Sequence, residues 1–500
     1  MNIQQAKKEI IHTLQAYHLK DDRGKYRIPL ERQRPILLMG PPGIGKTAIL
    51  KQVAEETGVG LVSYSLTHHT RQSAVGLPHI EEKTLAGVHL TVTEYTMSEI
   101  LASLYEYMDR TGKREGILFL DEVNCVSETL APTMLQLLQN KTFGTHRVPE
   151  GWILVTAGNP PQYNRAVREF DVATLDRVRT IWIQPDVKAW MDYAALQQVH
   201  SSILSYLTIH PEHFYQAEDN GEKQEFVTAR GWEDLSDLLK SYELLEIPVT
   251  REQISQYIQQ PEAEKEFSTY YALYEKYRED YQIPEILGNR LSEMETEKRI
   301  RMASAAGFEE RFTVVRLLCD SLQNGFRDLQ KEGEKLEALR SGLLRLKRDW
   351  GTGPEDLAGK MEKSLKVRME AGILREEEAA SEQWVIARLR NLDTELKKNH
   401  VSDPEKGFAE MKKWFSVMTD MYTDQVRQQS LYLKNAFSFG ERSFGEGQEM
   451  NLLVTELSQS RAAMDFIAEN GSEEFLHWGQ CFLWKANEKK LMEQCRKLME

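Results

Sequence analysis

The segment GPPGIGKT, at residues 40–47, constrains the fold of this chain more than any other feature. Four apolar residues, ILLM at 36–39, precede it, and a helical pattern, AILKQVAEE at 48–56, follows it. This is the strand–loop–helix setting of a P-loop, in which backbone N–H groups surround phosphates. The residues predicted to bind a nucleotide are Gly40, Pro41, Pro42, Gly43, Ile44, Gly45, Lys46 and Thr47. Lys46 would approach the β- and γ-phosphates, and the Thr47 hydroxyl would bind Mg²⁺.

Two later segments each end a short apolar run with polar side chains. ILFLDEVN, at 117–124, places Asp121 and Glu122 at the carboxyl end of a predicted strand, where open α/β sheets bind ligands. We predict that Asp121 holds Mg²⁺ through water and that Glu122 orients or deprotonates the attacking water, a role that a hydrolase needs. The alternative is a strand that simply ends in solvated acids.

The second of these segments is ILVTAGNP, at 153–160. Asn159 follows another predicted buried strand, and its amide could bind the γ-phosphate or the attacking water. The alternative role for Asn159 is a turn residue before Pro160, which asparagine also favours.

Composition limits the class of protein. The chain has 500 residues and a net charge of -14, which suggests about three domains and argues against a nucleic-acid partner. Its apolar runs are far shorter than the ~20 residues of a membrane span, and the N-terminus has no signal-peptide pattern. The cysteines are far apart and form no CxxC pair: Cys125, Cys319, Cys481 and Cys495. We therefore expect a soluble cytoplasmic protein with no disulfide framework or zinc site.

The pattern of the chain changes near residue 250. Before it, strand-like runs alternate with helical patterns, which predicts a parallel sheet with crossover helices. After it, long helical stretches dominate, at 308–350, 355–398 and 405–435, with breaks expected at 351–354, 403–404 and 440–447. A stripe at helical spacing predicts a bundle core rather than an intermolecular coiled coil: Leu322, Phe326, Leu329, Leu336, Leu343 and Trp350. The predicted fold class is α/β plus all-α.

Several strings together resemble an AAA+ ATPase: GPPGIGKT, ILFLDEVN, ILVTAGNP and TLDRVR at 174–179, in this order. More narrowly, residues 30–250 resemble the MoxR branch. The segment 76–101 is similar to the β-hairpin inserted into helix 2 of that branch. The string NPPQYNRAVREFDVATLDRVRTI, at 159–181, is similar to its segment from sensor 1 to the arginine finger, and ARGWEDLSDLL, at 229–239, to its sensor-2 helix.

The resemblance implies a domain organisation. The α/β ATPase core would span residues 1–184, with an N-terminal helix at 1–24 and the hairpin insert at about 76–101. A helical lid carrying sensor 2 would span 185–250. An α-helical extension, proposed as a docking platform for a partner, would span 251–500.

The resemblance also implies residue roles and partners. Asn159 matches sensor 1, Arg230 matches sensor 2, and Arg177 matches the arginine finger that reaches a neighbouring subunit, although Arg165, Arg168 and Arg179 are competitors. A finger that acts in trans implies a homo-oligomeric ring, most simply a hexamer. The implied activity is Mg-dependent hydrolysis of ATP by a chaperone-like remodeller of a protein client, with a von Willebrand A-domain protein as partner.

Two other functions stay open. A nucleic-acid remodeller would need basic pore loops, and the hairpin carries Lys83 against Glu81, Glu82, Glu94 and Glu99. A nucleotide-gated scaffold would hydrolyse ATP very slowly.

Two further groups of residues are given structural roles. His68 and His69 are adjacent and cannot both face one metal from a regular strand. We therefore interpret them as polar loop residues rather than metal ligands. A second stripe is expected to form the core of the lid: Trp190, Tyr193, Leu196, Val199, Ile203 and Leu207.

Overall fold

The computed structural model describes residues 1–66, 76–85, 88–143, 146–163, 167, 170–219, 224–348, 353–370, 376–399 and 403–481. The chain forms two compact units, Met1–Ser268 and Thr269–Glu500. The boundary between them falls inside a helix, beyond the change of pattern near residue 250. Across the described ranges, every helix is too short or too polar to cross a membrane.

The first unit is built around a parallel sheet. Its elements up to the last sheet strand are α1 Ile3–His18, β1 Ile36–Met39, α2 Lys46–Thr57, β2 Gly60–Ser65, β3 Pro78–Leu85, β4 Val88–Tyr95, α3 Glu99–Thr111, β5 Gly116–Asp121, α4 Ala131–Asn140, β6 Thr142–Phe143, β7 His146–Arg147, β8 Trp152–Gly158, α5 Val172–Leu175 and β9 Arg179–Trp182. Five strands pair in parallel in the order β2-β5-β8-β1-β9. The predicted parallel sheet is therefore confirmed.

The sheet is buried on both faces, which explains its continuous apolar strands. On β5, Leu118 and Leu120 belong to the core on one face, which also contains residues of α3. Ile117 and Phe119 alternate with them and belong to the core on the other face, which contains residues of α1 and α2. A one-residue slip of register would exchange these two sets of side chains.

The N-terminal helix is shorter than the predicted 1–24. It begins with a capping box in which Asn2 and Gln5 bond reciprocally, and it ends at His18. Leu19, which the helical pattern included, is 52% exposed. The helix stops because the chain turns back after it, and Lys20 and Tyr26 form an isolated antiparallel bridge.

The expected hairpin within 76–101 is present as β3 and β4, which pair antiparallel with Glu81 opposite Val92. The side chains of Glu81, Glu82 and Glu94 are exposed or partly exposed along it.

The rest of the first unit is mostly helical, but it contains a two-stranded antiparallel β-ribbon that was not predicted from the sequence. Its elements are α6 Val187–Leu196, α7 Ser201–Ile209, β10 Gln216–Asp219, β11 Gln224–Val227, α8 Ala229–Leu244, α9 Arg251–Tyr257 and the start of α10 Pro261–Tyr281. Strands β10 and β11 are antiparallel. Of the stripe expected in the lid core, Val199, Ile203 and Leu207 are buried, whereas Leu196 is 70% exposed, so its assignment to the core is wrong.

The second unit is helical throughout its described part. Its elements after α10 are α11 Ile283–Leu287, α12 Glu293–Ala305, α13 Phe308–Arg348, α14 Pro354–Glu370, α15 Glu376–Lys398, α16 Pro404–Phe444, α17 Gln448–Gln459 and α18 Arg461–Asn470. The described part of the predicted stripe is buried along α13: Leu322, Phe326, Leu329, Leu336 and Leu343. Trp350 lies outside the described residues. The predicted bundle core is confirmed.

Two expectations for the second unit need correction. The stretch 355–398 holds two helices, α14 and α15, which pack against each other rather than forming one long helix. The break expected at 440–447 begins later, because α16 continues to Phe444 and the chain turns at Gly445, where φ is +59°. Gly440 stays helical, and a Cβ there would lie 2.6 Å from Met450 Sδ of α17. The glycine thus permits a close helix contact and does not end the helix.

Candidate nucleotide-binding site

The predicted nucleotide-binding residues meet at the carboxyl edge of the sheet. The loop at 40–45 follows β1, Asp121 ends β5, and Asn159 follows β8. Because β8 pairs with both β1 and β5, Asn159 lies between the loop and the acidic pair. The order of the strands, which the sequence did not specify, therefore sets the layout of the site.

Backbone geometry in the loop depends on two glycines. Gly43 and Gly45 have φ values of +71° and +90°, a left-handed region that favours glycine. A Cβ on Gly43 would lie 2.9 Å from the side chain of Thr228, and the Arg230 backbone N–H donates to the Gly43 carbonyl at 3.1 Å. Gly45 is the N-cap of α2, so the N–H groups of that helix face the loop.

Lys46 is 9% exposed and is fixed by three hydrogen bonds. Its Nζ donates to the carbonyls of Gly40 and Pro41, both at 2.8 Å, and to Asn159 Oδ1 at 2.9 Å. Burial lowers the pKa of Lys46 to about 8, opposed by the charge of Asp121. An incoming phosphate would add negative charge beside this ammonium group and favour its protonated form.

Asp121 links the loop to the second acid. Its Oδ2 accepts from Thr47 Oγ1 at 3.1 Å, and its Oδ1 accepts from the Glu122 backbone N–H at 2.9 Å. A hydroxyl and a carboxylate at hydrogen-bonding distance fit Mg²⁺, which prefers oxygen ligands and retains several waters. Glu122 has φ of +58°, which is rare for a residue with a side chain and sharply turns the chain after β5.

These groups line a cavity of about 560 Å³. Polar side chains lining it include Lys46, Asp121, Glu122, Asn159 and Arg230. The volume lies in the range typical of small-molecule sites.

The other wall of the cavity corrects one expectation. Trp190 is buried, as its assignment to the lid core predicts, but Trp190 and Tyr193 also line the cavity beside Glu233, a role that the prediction excluded. The Trp190 indole N–H donates to Glu233 Oε1 at 3.0 Å, and burial raises the pKa of the Glu233 carboxyl. The periodicity placed the two aromatic residues on one helix face, but it could not show that this face borders the P-loop.

Comparison with known proteins agrees with this geometry. Residues 36–175 match the ATPase family associated with various cellular activities (AAA). Residues 36–175 form an AAA ATPase domain. Over 136 residues, the chain is 32% identical to ATPase family gene 2 protein homolog B of Bos taurus. That match covers 27% of this chain and 14% of the relative, so the chain spans only a small part of the relative's length.

Asn124 is a residue of the AAA domain that the sequence reading left without a role. Its Nδ2 donates to the Asn159 carbonyl at 2.8 Å, and its Oδ1 lies close to where a Cβ on Gly158 would be. Asn124 therefore ties the turn after β5 to the end of β8. Its position two residues after Glu122 in ILFLDEVN was the available clue.

The candidate arginine fingers differ in their surroundings. Arg179 donates to Thr13 Oγ1 at 2.5 Å and pairs with Glu9, both on α1 of the same chain. Arg177 is exposed. The pKa of Asp171, the N-cap of α5, is lowered first by its hydrogen bonds to Thr174 and to a smaller extent by the charge of Arg177. Arg165 and Arg168, like His68 and His69, lie outside the described residues.

Proposed function

We propose that this chain is an ATP-hydrolysing motor that remodels or assembles other proteins. The observation that carries the proposal is the convergence of Lys46, Asp121, Glu122, Asn159 and Arg230 on one cavity. These groups come from the P-loop, the ends of β5 and β8, and the first turn of α8. Binding alone needs only the phosphate-binding loop, whereas hydrolysis also needs a group that activates water.

In the proposed reaction, water attacks the γ-phosphate of ATP. Lys46 and the N-terminus of α2 bind the phosphates, and Thr47 and Asp121 would hold Mg²⁺, which neutralises developing charge when bound. Glu122 accepts the proton of the attacking water, and Asn159 orients that water or the γ-phosphate. Arg230 adds positive charge from α8. Most of the rate enhancement comes from positioning and electrostatic stabilisation.

Glu122→Gln tests the proposed base. The substitution keeps the size of the side chain and removes its proton acceptor, so ATP turnover should fall by ~10²-fold or more while nucleotide binding persists. Glu106→Gln, on the exposed face of α3, is the matched control and should turn over ATP normally. Steady-state phosphate release and nucleotide titration make the two measurements.

Lys46→Ala completes this experiment. Loss of the ammonium group should abolish or greatly weaken ATP binding, because the loop then lacks its positive charge. Undiminished turnover in Glu122→Gln would remove the assignment of the base. Unchanged affinity in Lys46→Ala would overturn the phosphate-binding role of the loop.

The finer proposal is a MoxR-like chaperone that acts as a homo-oligomeric ring, most simply a hexamer. The antiparallel pair β3 and β4 and the exposed Arg177 support it, because the sequence resemblance to that branch assigns them to its insert and its trans-acting finger. The exposed Glu81 and Glu82 favour a protein client over a nucleic acid. Capture of a von Willebrand A-domain protein by Glu122→Gln in ATP would support the proposed partner, and capture of DNA-processing proteins would oppose it.

A further inference from the structure

Three metal-ligating side chains meet in the first unit, where the sequence reading expected no metal site. His210 follows α7, His213 ends a 3₁₀ turn at Pro211–His213, and Glu266 projects from α10. One ligand atom from each of the three lies within 4.8 Å of the others. Glu266 Oε2 lies 3.8 Å from His210 Nδ1 and 3.6 Å from His213 Nδ1.

The local fold stacks the two imidazole rings on each other. Their rings are nearly parallel, at 12°, with centroids 5.7 Å apart. The 3₁₀ turn that carries His213 is held in place by a hydrogen bond, because the Trp232 indole N–H donates to the His213 carbonyl at 3.3 Å. His213 is 4% exposed, so its ring cannot move without disturbing the core around Tyr206 and Trp232, whereas the His210 side chain is 30% exposed.

We propose that His210, His213 and Glu266 bind a divalent first-row transition metal, with Zn²⁺ as the representative ion. Two imidazoles and one carboxylate form a ligand set known for zinc, in which water fills the fourth position. Imidazole ligands favour zinc and its neighbours over Mg²⁺ and Ca²⁺, which prefer sites built from oxygen.

The two distances to Glu266 suit this metal after a small contraction, and the ligand nitrogen atoms of the two histidines, which lie within 4.8 Å of each other, must also move closer together. Bonds of about 2.0–2.1 Å in a tetrahedral site place neighbouring ligand atoms roughly 3.3–3.4 Å apart. Glu266 Oε2 is within half an ångström of that separation from both nitrogen atoms. The side chains of Glu266 and His210 are 44% and 30% exposed, which leaves the site open to an ion and a water ligand from solvent.

For the metal to bind, His210 Nδ1 must release Glu212 Oε1, which lies 3.3 Å away, and His213 Nδ1 must release Tyr206. Its hydroxyl lies 2.6 Å from His213 Nδ1, so the two groups share a hydrogen bond. The Ala263 carbonyl is 3.5 Å from the same hydroxyl and offers another acceptor. A modest rotation of the hydroxyl would free the Nδ1 lone pair without leaving the Tyr206 O–H unsatisfied.

A metal here would join the turn after α7 to α10, which are distant in sequence. Tyr215, two residues after His213, donates its hydroxyl to the Pro42 carbonyl at 2.9 Å. The metal would therefore fix the segment that supports the P-loop. The inference stands apart from ATP hydrolysis, since none of the three ligands lines the nucleotide cavity.

Zinc binding by the full chain tests the proposal. After treatment with a chelator and dialysis, the protein is titrated calorimetrically with Zn²⁺ in excess Mg²⁺ and without nucleotide. We expect one tight zinc site per chain that is lost or weakened at least about tenfold in Glu266→Gln and His210→Ala. Zinc should raise the midpoint of thermal unfolding of the wild type and not that of Glu266→Gln.

Three controls keep the result specific. Glu279→Gln removes another exposed carboxylate from α10, His12→Ala removes an exposed imidazole from α1, and the double variant His68→Ala/His69→Ala removes the adjacent histidines. All three should keep the site. The proposal is overturned if the wild type binds no stoichiometric zinc, or if Glu266→Gln and His210→Ala, folded to the same unfolding midpoint in chelator, bind it as tightly as the controls do.

Discussion

At the residue scale, the nucleotide site depends on a few backbone conformations. Gly43 is left-handed, and a Cβ there would lie 2.9 Å from the side chain of Thr228, the N-cap residue of α8. Gly58, the C-cap of α2, has almost the same φ, +72°, but a Cβ there would meet nothing within 4 Å. These two glycines separate the cost of a left-handed conformation from the cost of a clash.

We predict different outcomes for Gly43→Ala and Gly58→Ala. Both variants should lose roughly 1–2 kcal/mol of unfolding free energy, because alanine is strained in this conformation. Only Gly43→Ala should also weaken ATP binding, by about tenfold or more, since its methyl group would push the loop away from Thr228. Fluorescent-nucleotide titration measures the affinity. Equal affinities for the two variants would refute a role for the Gly43–Thr228 contact.

The loop residues and the acidic pair could be predicted from sequence because each lies within a few residues of a strand end. The roles of Trp190, Tyr193 and Glu233 could not be predicted. These residues are far from the P-loop in sequence, and the sequence does not show which face of their helices lies against the P-loop. His213 and Glu266 were missed for the same reason. They are far apart in sequence, and only the packing of α10 on the turn after α7 brings them together.

At the element scale, small residues decide how the long helices of the second unit approach each other. A Cβ on Gly325 of α13 would lie 2.6 Å from Cδ of Gln429 on α16. Gln429 is buried, and its Nε2 donates to the Leu322 carbonyl at 2.9 Å. The side-chain amide of Gln429 therefore lies against Gly325 and donates a hydrogen bond to the backbone of α13.

We predict that Gly325→Ala and Gly359→Ala shift stability in opposite directions. Gly359 of α14 has nothing within 4 Å of its Cβ position, so alanine should stabilise the helix by roughly 0.5–1 kcal/mol. Alanine at 325 should destabilise the chain by about 1–3 kcal/mol, because it displaces a buried hydrogen-bonded amide. Denaturant unfolding followed by circular dichroism compares them. Stabilisation by Gly325→Ala would contradict the close packing.

Helical periodicity predicted most of these elements, but it could not locate their ends. The sequence suggests that Gly440 ends a helix, but Gly440 lies inside α16. A glycine suits this position because Met450 of α17 occupies the space where a Cβ would lie. The ribbon of β10 and β11 was missed because each strand has four residues and includes acidic side chains. Tertiary packing overrides local propensity at such short elements.

At the scale of the whole molecule, the arginine proposed as a finger lies on the surface of its own chain. Among the described residues that line the nucleotide cavity, Arg177 does not appear. Exposed apolar side chains, Val172 and Leu175, lie nearby in the sequence on α5. An arginine finger that completes its site in another copy requires such a position.

We predict that Arg177→Ala binds ATP normally and hydrolyses it ~10³-fold more slowly or worse. Mixing it with Lys46→Ala, also inactive alone, should restore turnover, because the intact P-loop of one copy then meets the intact arginine of another. Arg179→Ala, whose side chain is paired with α1, is the control and should remain active. A mixture with no recovered phosphate release would count against action in trans.

The two longest helices, α13 and α16, have 41 residues each and pack together within the second unit. At 1.5 Å per residue, each is about 60 Å long. A tilt of about 10° at one end of such a pair, with the helices kept straight, would move the other end by roughly 10 Å. Shortening both helices by whole turns would then reduce the distance moved in proportion to their length, without changing the chemistry at the phosphate.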